Sequence, residues 1–185
     1  MNLLGAINKK TNKYTHPFNA SKQDEYMCIE CGNDVLIKQG TLKSHHFAHK
    51  SSTCKCYTSN ESDEHKNAKL ILKYILENKI PLTICCKCNK CNKIDNYEIE
   101  EISDNSSIIL EYRFEYNNGT KYADLAYIED NEILCIFEIY NSHKTDTEDR
   151  PEPWFELDAK QLIQTVNNSD LQQIKLQCIR DKLCV

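Results

Sequence analysis

Apolar positions change their period along the chain, and the change divides it. Residues 1–59 carry few apolar side chains and no helical repeat, so they predict short strands and turns. Gly32, Asn33 and Asp34 supply turn chemistry between Tyr26-Met27-Cys28 and the strand Val35-Leu36-Ile37, and Gly40 ends that strand. Helical spacing then starts at Ser62, a capping residue, with Glu64 and His65 in the first turn. Ala68, Leu70, Ile71, Tyr74 and Ile75 follow until Asn78 and Pro81 stop the helix. Strands are predicted at 97–102, 108–114, 122–128 and 133–140, and a loop over 141–153 contains the clamp-like Arg150-Pro151-Glu152-Pro153-Trp154. Helical periodicity returns at Leu157, Leu162, Ile163 and Val166, and 174–179 reads as a last strand. The expected organisation is a small module over 1–59 and an α/β (α+β) domain over 60–185.

Two of these strands carry an acid among apolar and aromatic neighbours: Asp124 in Tyr122-Ala123-Asp124-Leu125-Ala126 and Glu138 in Ile136-Phe137-Glu138-Ile139-Tyr140. A buried carboxylate is costly unless a cation or hydrogen-bond donors satisfy it. The turn through Glu129, Asp130, Asn131 and Glu132 makes the two strands antiparallel neighbours, so both acids can meet at one edge of the sheet. Paired oxygen ligands there suit Mg²⁺ or Mn²⁺. The plainer alternative is that one acid sits at a strand end in solvent while the other makes a structural salt bridge.

Composition narrows the class. With 185 residues, 40% hydrophobic and 28% charged, the chain is of globular type and long enough for a real core. No apolar run approaches the ~20 residues of a membrane span, and no signal-peptide core opens the chain, so an intracellular address, cytoplasmic or nuclear, is expected. Eleven cysteines in a reducing compartment read as zinc ligands before disulfides. The net charge of −5 gives no global case for nucleic acid, but Lys9, Lys10, Lys13, Lys22, Lys38, Lys43 and Lys50 make the first fifty residues locally basic.

The cysteines cluster at ligand spacing. Cys28 and Cys31, followed by His46 and His49, offer two thiolates and two imidazoles for one tetrahedral zinc, with His45 as a competing ligand. That metal would supply stability the small module lacks. A second set is less defined: Cys88 and Cys91 completed by Cys54 and Cys56, or a local set that includes Cys85 or Cys86.

In this order, Tyr26-x-Cys28-x2-Cys31, His46-Phe47-Ala48-His49, Glu61-Ser62-x-Glu64-His65, Ala123-Asp124 and Phe137-Glu138-Ile139 resemble the CoiA-like competence family. Asn141-Ser142-His143-Lys144-Thr145 and the segment 150–155 look like a branch of uncharacterised viral and phage proteins. The resemblance implies a zinc-finger-like N-terminus joined to a nuclease domain of the PD-(D/E)XK superfamily. Its restriction-endonuclease-like core runs helix, three strands, helix, strand. By motif, Asp124 and Glu138 would be the metal-binding acids and Glu64 the additional helical acid. Tyr140 stands where the superfamily usually has a lysine that orients the attacking water, so either Lys144 or Lys160 reaches back into the site or activity is weak or absent. Glu111 is a further shell candidate.

These readings converge on a metal-dependent nuclease acting on nucleic acid, DNA first, with structural zinc. Its rivals are a nuclease-fold binding module without turnover and a purely structural zinc protein.

Overall fold

The structure, a computed structural model, describes residues 3–50, 56, 61–99, 103, 105–142, 145, 150–169 and 171–180. It divides into two compact units, Met1–Ile71 and Leu72–Val185.

In the N-terminal unit, β1 (Ala6–Asn8), β2 (Lys13–Thr15), β3 (Tyr26–Met27), β4 (Asp34–Lys38) and β5 (His46–His49) form an antiparallel sheet ordered β2-β1-β3-β4-β5. The strands are short because few apolar positions exist to extend them. Their core is correspondingly small: Leu3, Ala6, Ala20, Tyr26, Cys28, Val35 and Phe47. Gly5 is required there, since a Cβ would lie 2.1 Å from the Tyr14 ring, whose hydroxyl donates to the Leu4 carbonyl at 3.1 Å.

Helix α1 (Asp63–Glu77) begins where the pattern predicts, with the Ser62 hydroxyl accepting the His65 N–H at 3.1 Å. It ends in a Schellman turn: the Ile80 N–H reaches the Ile75 carbonyl at 3.0 Å, with Lys79 left-handed at φ 54°. Within the N-terminal unit, Asn67 Oδ1 accepts the Leu4 N–H at 2.8 Å, and buried Lys69 bonds Glu61 at 2.7 Å.

The C-terminal unit is built on a seven-stranded mixed sheet. Its strands are β6 (Leu82–Lys87), β7 (Ile94–Ile99), β8 (Ser106–Tyr116), β9 (Gly119–Glu129), β10 (Glu132–Tyr140), β11 (Trp154–Asp158) and β12 (Ile174–Cys178). The order is β7-β6-β12-β11-β10-β9-β8, with β10/β11 and β12/β6 parallel and the other pairs antiparallel. Tight turns join β8, β9 and β10: Asn117, Asn118, Asp130 and Asn131 all take positive φ, as type I′ hairpins demand. Helix α2 (Ala159–Asn167) is capped by Asp158, whose side chain accepts the Gln161 N–H at 2.8 Å. Phe114, Ala123, Ala126, Ile128, Ile136 and Trp154 form a core cluster in the β8–β11 region.

The two-helix, mixed α/β class agrees with the sequence reading, but among the described residues six strands lie between the helices, where the pattern predicts four and the resemblance implies a core of three. Cys85 and Cys86, candidates for a local ligand set with Cys88 and Cys91, lie inside β6, and β7 starts at residue 94 rather than 97. Residues Trp154–Asp158 form a parallel strand beside β10, so Leu157 is a strand residue and not the start of a helix. Flanking prolines and two acids in five residues hid this strand from a pattern search. Among the described residues, no helix is long and apolar enough to cross a membrane.

Candidate metal centres

The first centre grows from a backbone turn. After β3, the Cys28 N–H bonds the Asn33 carbonyl at 2.8 Å and the Gly32 N–H bonds the Cys28 carbonyl at 2.9 Å, with Gly32 at φ 69°. That loop turns Cys28 and Cys31 to one side, toward His49 at the end of β5 and Cys56. Cys28 Sγ lies 3.6 Å from Cys56 Sγ, while His49 Nε2 lies 3.4 Å from Cys31 Sγ and 3.5 Å from Cys56 Sγ. All four ligand atoms fall within 4.8 Å of one another. A tetrahedral zinc with Zn–S near 2.3 Å and Zn–N near 2.0 Å separates its ligand atoms by roughly 3.5–3.8 Å, so the cluster has the dimensions to hold such an ion. Burial pushes the Cys28 thiol up, against hydrogen bonds from the Glu30 and Cys31 backbone, and a bound cation would reverse that penalty. Lys66 on α1 sits 3.5 Å from Glu30 inside the same loop.

Here the structure corrects the expected ligand set. His49 is in the cluster and His46 is not, because residues three apart in a strand face opposite ways. The His46 Nδ1 instead lies 2.8 Å from the Ser44 carbonyl, and its ring lines a recess of about 480 Å³ with Leu4, Lys43, Ser44, His45, Asp63 and Glu64. Glu64 is therefore a recess residue of the N-terminal unit. Cys56, assigned to the second set, takes the fourth place in the first. Cys54 and Lys144 lie outside the described residues. Cys88 and Cys91 sit in the turn between β6 and β7, and Lys160 is exposed on α2.

The second centre is a row of acids in the C-terminal unit. Glu138 on β10 is directly registered with Glu156 on β11. The β9/β10 ladder, read one step beyond Phe137↔Leu125, sets Asp124 beside Glu138. Glu111 on β8 falls opposite Asp124, between the pairs Leu110↔Leu125 and Tyr112↔Ala123, and takes φ 52°, a strained value for a non-glycine strand residue. By strand alternation, Asp124, Glu138 and Glu156 share the face of Ala126, Ile136 and Trp154, one step along from the apolar cluster. Tyr140, registered with Asp158, is the next residue on that face. Glu156 is not expected in the site from sequence, since Trp154 reads as the end of a clamp and Leu157 as the start of a helix.

Each acid has donors. Asp124 Oδ2 accepts the Ile139 N–H at 2.7 Å, Glu156 accepts the Thr145 N–H at 2.5 Å, and Glu138 accepts Arg150 Nε at 2.5 Å. Arg150 also donates to the Tyr122 carbonyl at 3.0 Å and lies 5.8 Å from the centre of the Phe114 ring. One acid of the expected pair is thus engaged by an arginine, which is half of the arrangement that argues for a salt bridge. Burial first, then the charge of Asp124, push the Glu138 carboxyl up to about 7 against the opposing pull of Arg150. Trp154 is a core residue at 2% exposure, with the Arg180 guanidinium 4.1 Å above its ring.

Fold and thiolate–imidazole cluster together define the first unit as a small β module with a candidate soft-metal site. Residues 8–57 match the family model described as competence protein CoiA, N-terminal domain, and over this segment the chain is similar to that domain. No curated protein and no solved structure matches the chain.

Proposed function

We propose that the chain is a metal-dependent nuclease that hydrolyses phosphodiester bonds, DNA first. It would carry structural zinc at Cys28, Cys31, His49 and Cys56 and bind Mg²⁺ or Mn²⁺ at Asp124 and Glu138. The observation that carries the reading is the alignment of Asp124, Glu138 and Glu156 at one level of three adjacent strands, with Glu111 opposite in the fourth. Like charges on neighbouring strands oppose one another, and a hard divalent cation relieves them with the oxygen ligands it prefers. The meander β8-β9-β10 after α1, with β11 parallel beside β10, supports a restriction-endonuclease-like core.

When bound, the cation supplies a more acidic water and neutralises charge that develops on the phosphate. The chain's own residues do the rest. Asp124 is held in place by the Ile139 amide. Arg150 lies beside Glu138, where its guanidinium can meet a phosphate oxygen in the same region. Tyr140 offers a hydroxyl at the position where the superfamily has lysine. The N-terminal unit offers a face that would suit nucleic acid: Phe18, 68% exposed, lies 5.4 Å from the His16 ring and 4.8 Å from the His45 ring. Exposed Lys10, Lys13, Lys22, Lys38 and Lys43 have no carboxylate partner among the described residues. Rings of this kind stack on bases, and lysines of this kind meet phosphates.

Two observations favour a second reading, a binding module with the same core and no turnover: the Arg150–Glu138 ion pair and Tyr140 in place of lysine. Cleavage of plasmid and single-stranded DNA with Mg²⁺ or Mn²⁺ separates the two. Wild type should cut, and Asp124→Ala and Glu138→Ala should not. Cutting that survives both substitutions removes the site assignment. Gel-shift binding without cutting favours the module.

A further inference from the structure

We infer that Cys88 and Cys91 are ligands of a second soft divalent ion, zinc in class, held by the β6–β7 hairpin independently of the nuclease reading. The case rests on a match within the molecule. In the first hairpin, β3 ends at Met27, Cys28 follows at once, and β4 begins at Asp34, three residues after Cys31. In the second, β6 ends at Lys87, Cys88 follows at once, and β7 begins at Ile94, three residues after Cys91.

The backbone bonds correspond as well. The Cys88 N–H reaches the Lys93 carbonyl at 2.9 Å and the Asn92 N–H reaches the Cys88 carbonyl at 2.9 Å, as Cys28 with Asn33 and Gly32 with Cys28 do in the first loop. Asn92 takes φ 58° where Gly32 takes 69°, and asparagine tolerates that region better than other side chains do. In both loops the first cysteine is buried, at 2% for Cys28 and 5% for Cys88.

The left-handed Asn92 serves this turn as Asn117 and Asn118 serve theirs, but closing a hairpin does not call for a cysteine at both 88 and 91. The first loop shows what the turn does: it brings two thiols to one side, where a single metal can take both. Cys86 is not part of this pair. It lies inside β6, registered with Cys178 on β12, and the hydrogen bond between the two thiols engages it there.

Two measurements on the full chain, purified with zinc, test the inference. Elemental analysis should find two zinc ions per chain, or one and a half if the second ion is shared between two copies. Cys88→Ser/Cys91→Ser should lower this to one. Because that variant could misfold, wild type is also alkylated and mapped by mass spectrometry. Cys91 is exposed, so a bound ion should slow its alkylation about tenfold relative to chelated protein, together with Cys88. A single zinc per chain in wild type overturns the inference. So does Cys91 reacting at the rate of a free thiol while Cys31 and Cys56 stay protected.

Discussion

The two units solve opposite problems. The N-terminal unit has five strands of two to five residues and a core whose members include Cys28, itself a candidate ligand. The C-terminal unit has strands of up to eleven residues and buries Trp154, Phe137, Leu125, Ile136 and Leu157 almost completely. A small core needs a metal brace, while a large one can carry groups that cost it stability. The two candidate centres fall accordingly: soft ligands gather among the short strands, and the row of acids sits in the larger sheet.

The largest effect expected from this difference is chelation. Structural zinc contributes about 10–16 kcal/mol in small metal-folded domains, so stripping the metal should unfold the N-terminal unit and leave the C-terminal one. Hydrogen exchange reads both at once: amides of β3, β4 and β5 should lose protection while those of β9 and β10 keep it. Equal loss in both units, or none in the first, would end the contrast.

Next comes the pair in the acid row. Arg150→Ala leaves Glu138, 5% exposed, without its guanidinium, and removing one member of a buried ion pair costs about 3–5 kcal/mol. Adding Glu138→Gln should recover most of that loss, because a neutral amide needs no counter-charge. Urea unfolding of the single and double variants measures it, and additive losses would mean that Arg150 stabilises by packing on Phe114 instead.

How much of this was readable beforehand follows from periodicity. Long strands with apolar runs, β9 and β10, and the capped start of α1 declare themselves, and with them Asp124 and Glu138. Glu156 did not, because five residues between prolines and a helix give no period, and only parallel pairing with β10 reveals the strand. Cys28, Cys31 and His49 were legible from spacing. Cys56 was assigned elsewhere because ligand sets form in space, and the turn that gathers them leaves no sequence period.

A smaller effect concerns pH. The Glu138 carboxyl is raised from 4.5 to about 7 in the fold, so between those values the folded unit holds a proton the unfolded chain has released. The stability this group contributes is fully present below about 4.5 and is lost as pH rises through 7. In the absence of divalent cations, the urea midpoint of the C-terminal unit should fall across that window, and Glu138→Gln should flatten the fall. A midpoint that rises across the window in wild type alone would mean that Arg150 dominates Asp124 and that the acid row is a satisfied ion pair.

The smallest expected effect is the most discriminating for the first centre. His46 and His49 belong to one four-residue strand and look interchangeable in sequence, yet alternation sends one toward the thiols and the other toward the Ser44 carbonyl. His49→Ala should reduce zinc retention sharply, whereas His46→Ala should leave zinc content and the unfolding midpoint nearly unchanged, within about 0.5 kcal/mol, as for a surface substitution. Competition with a chromophoric chelator compares the two directly. Equal zinc loss in both variants would put His46 back among the ligands and require a β5 strand that is twisted or re-registered against β4 when the metal is bound.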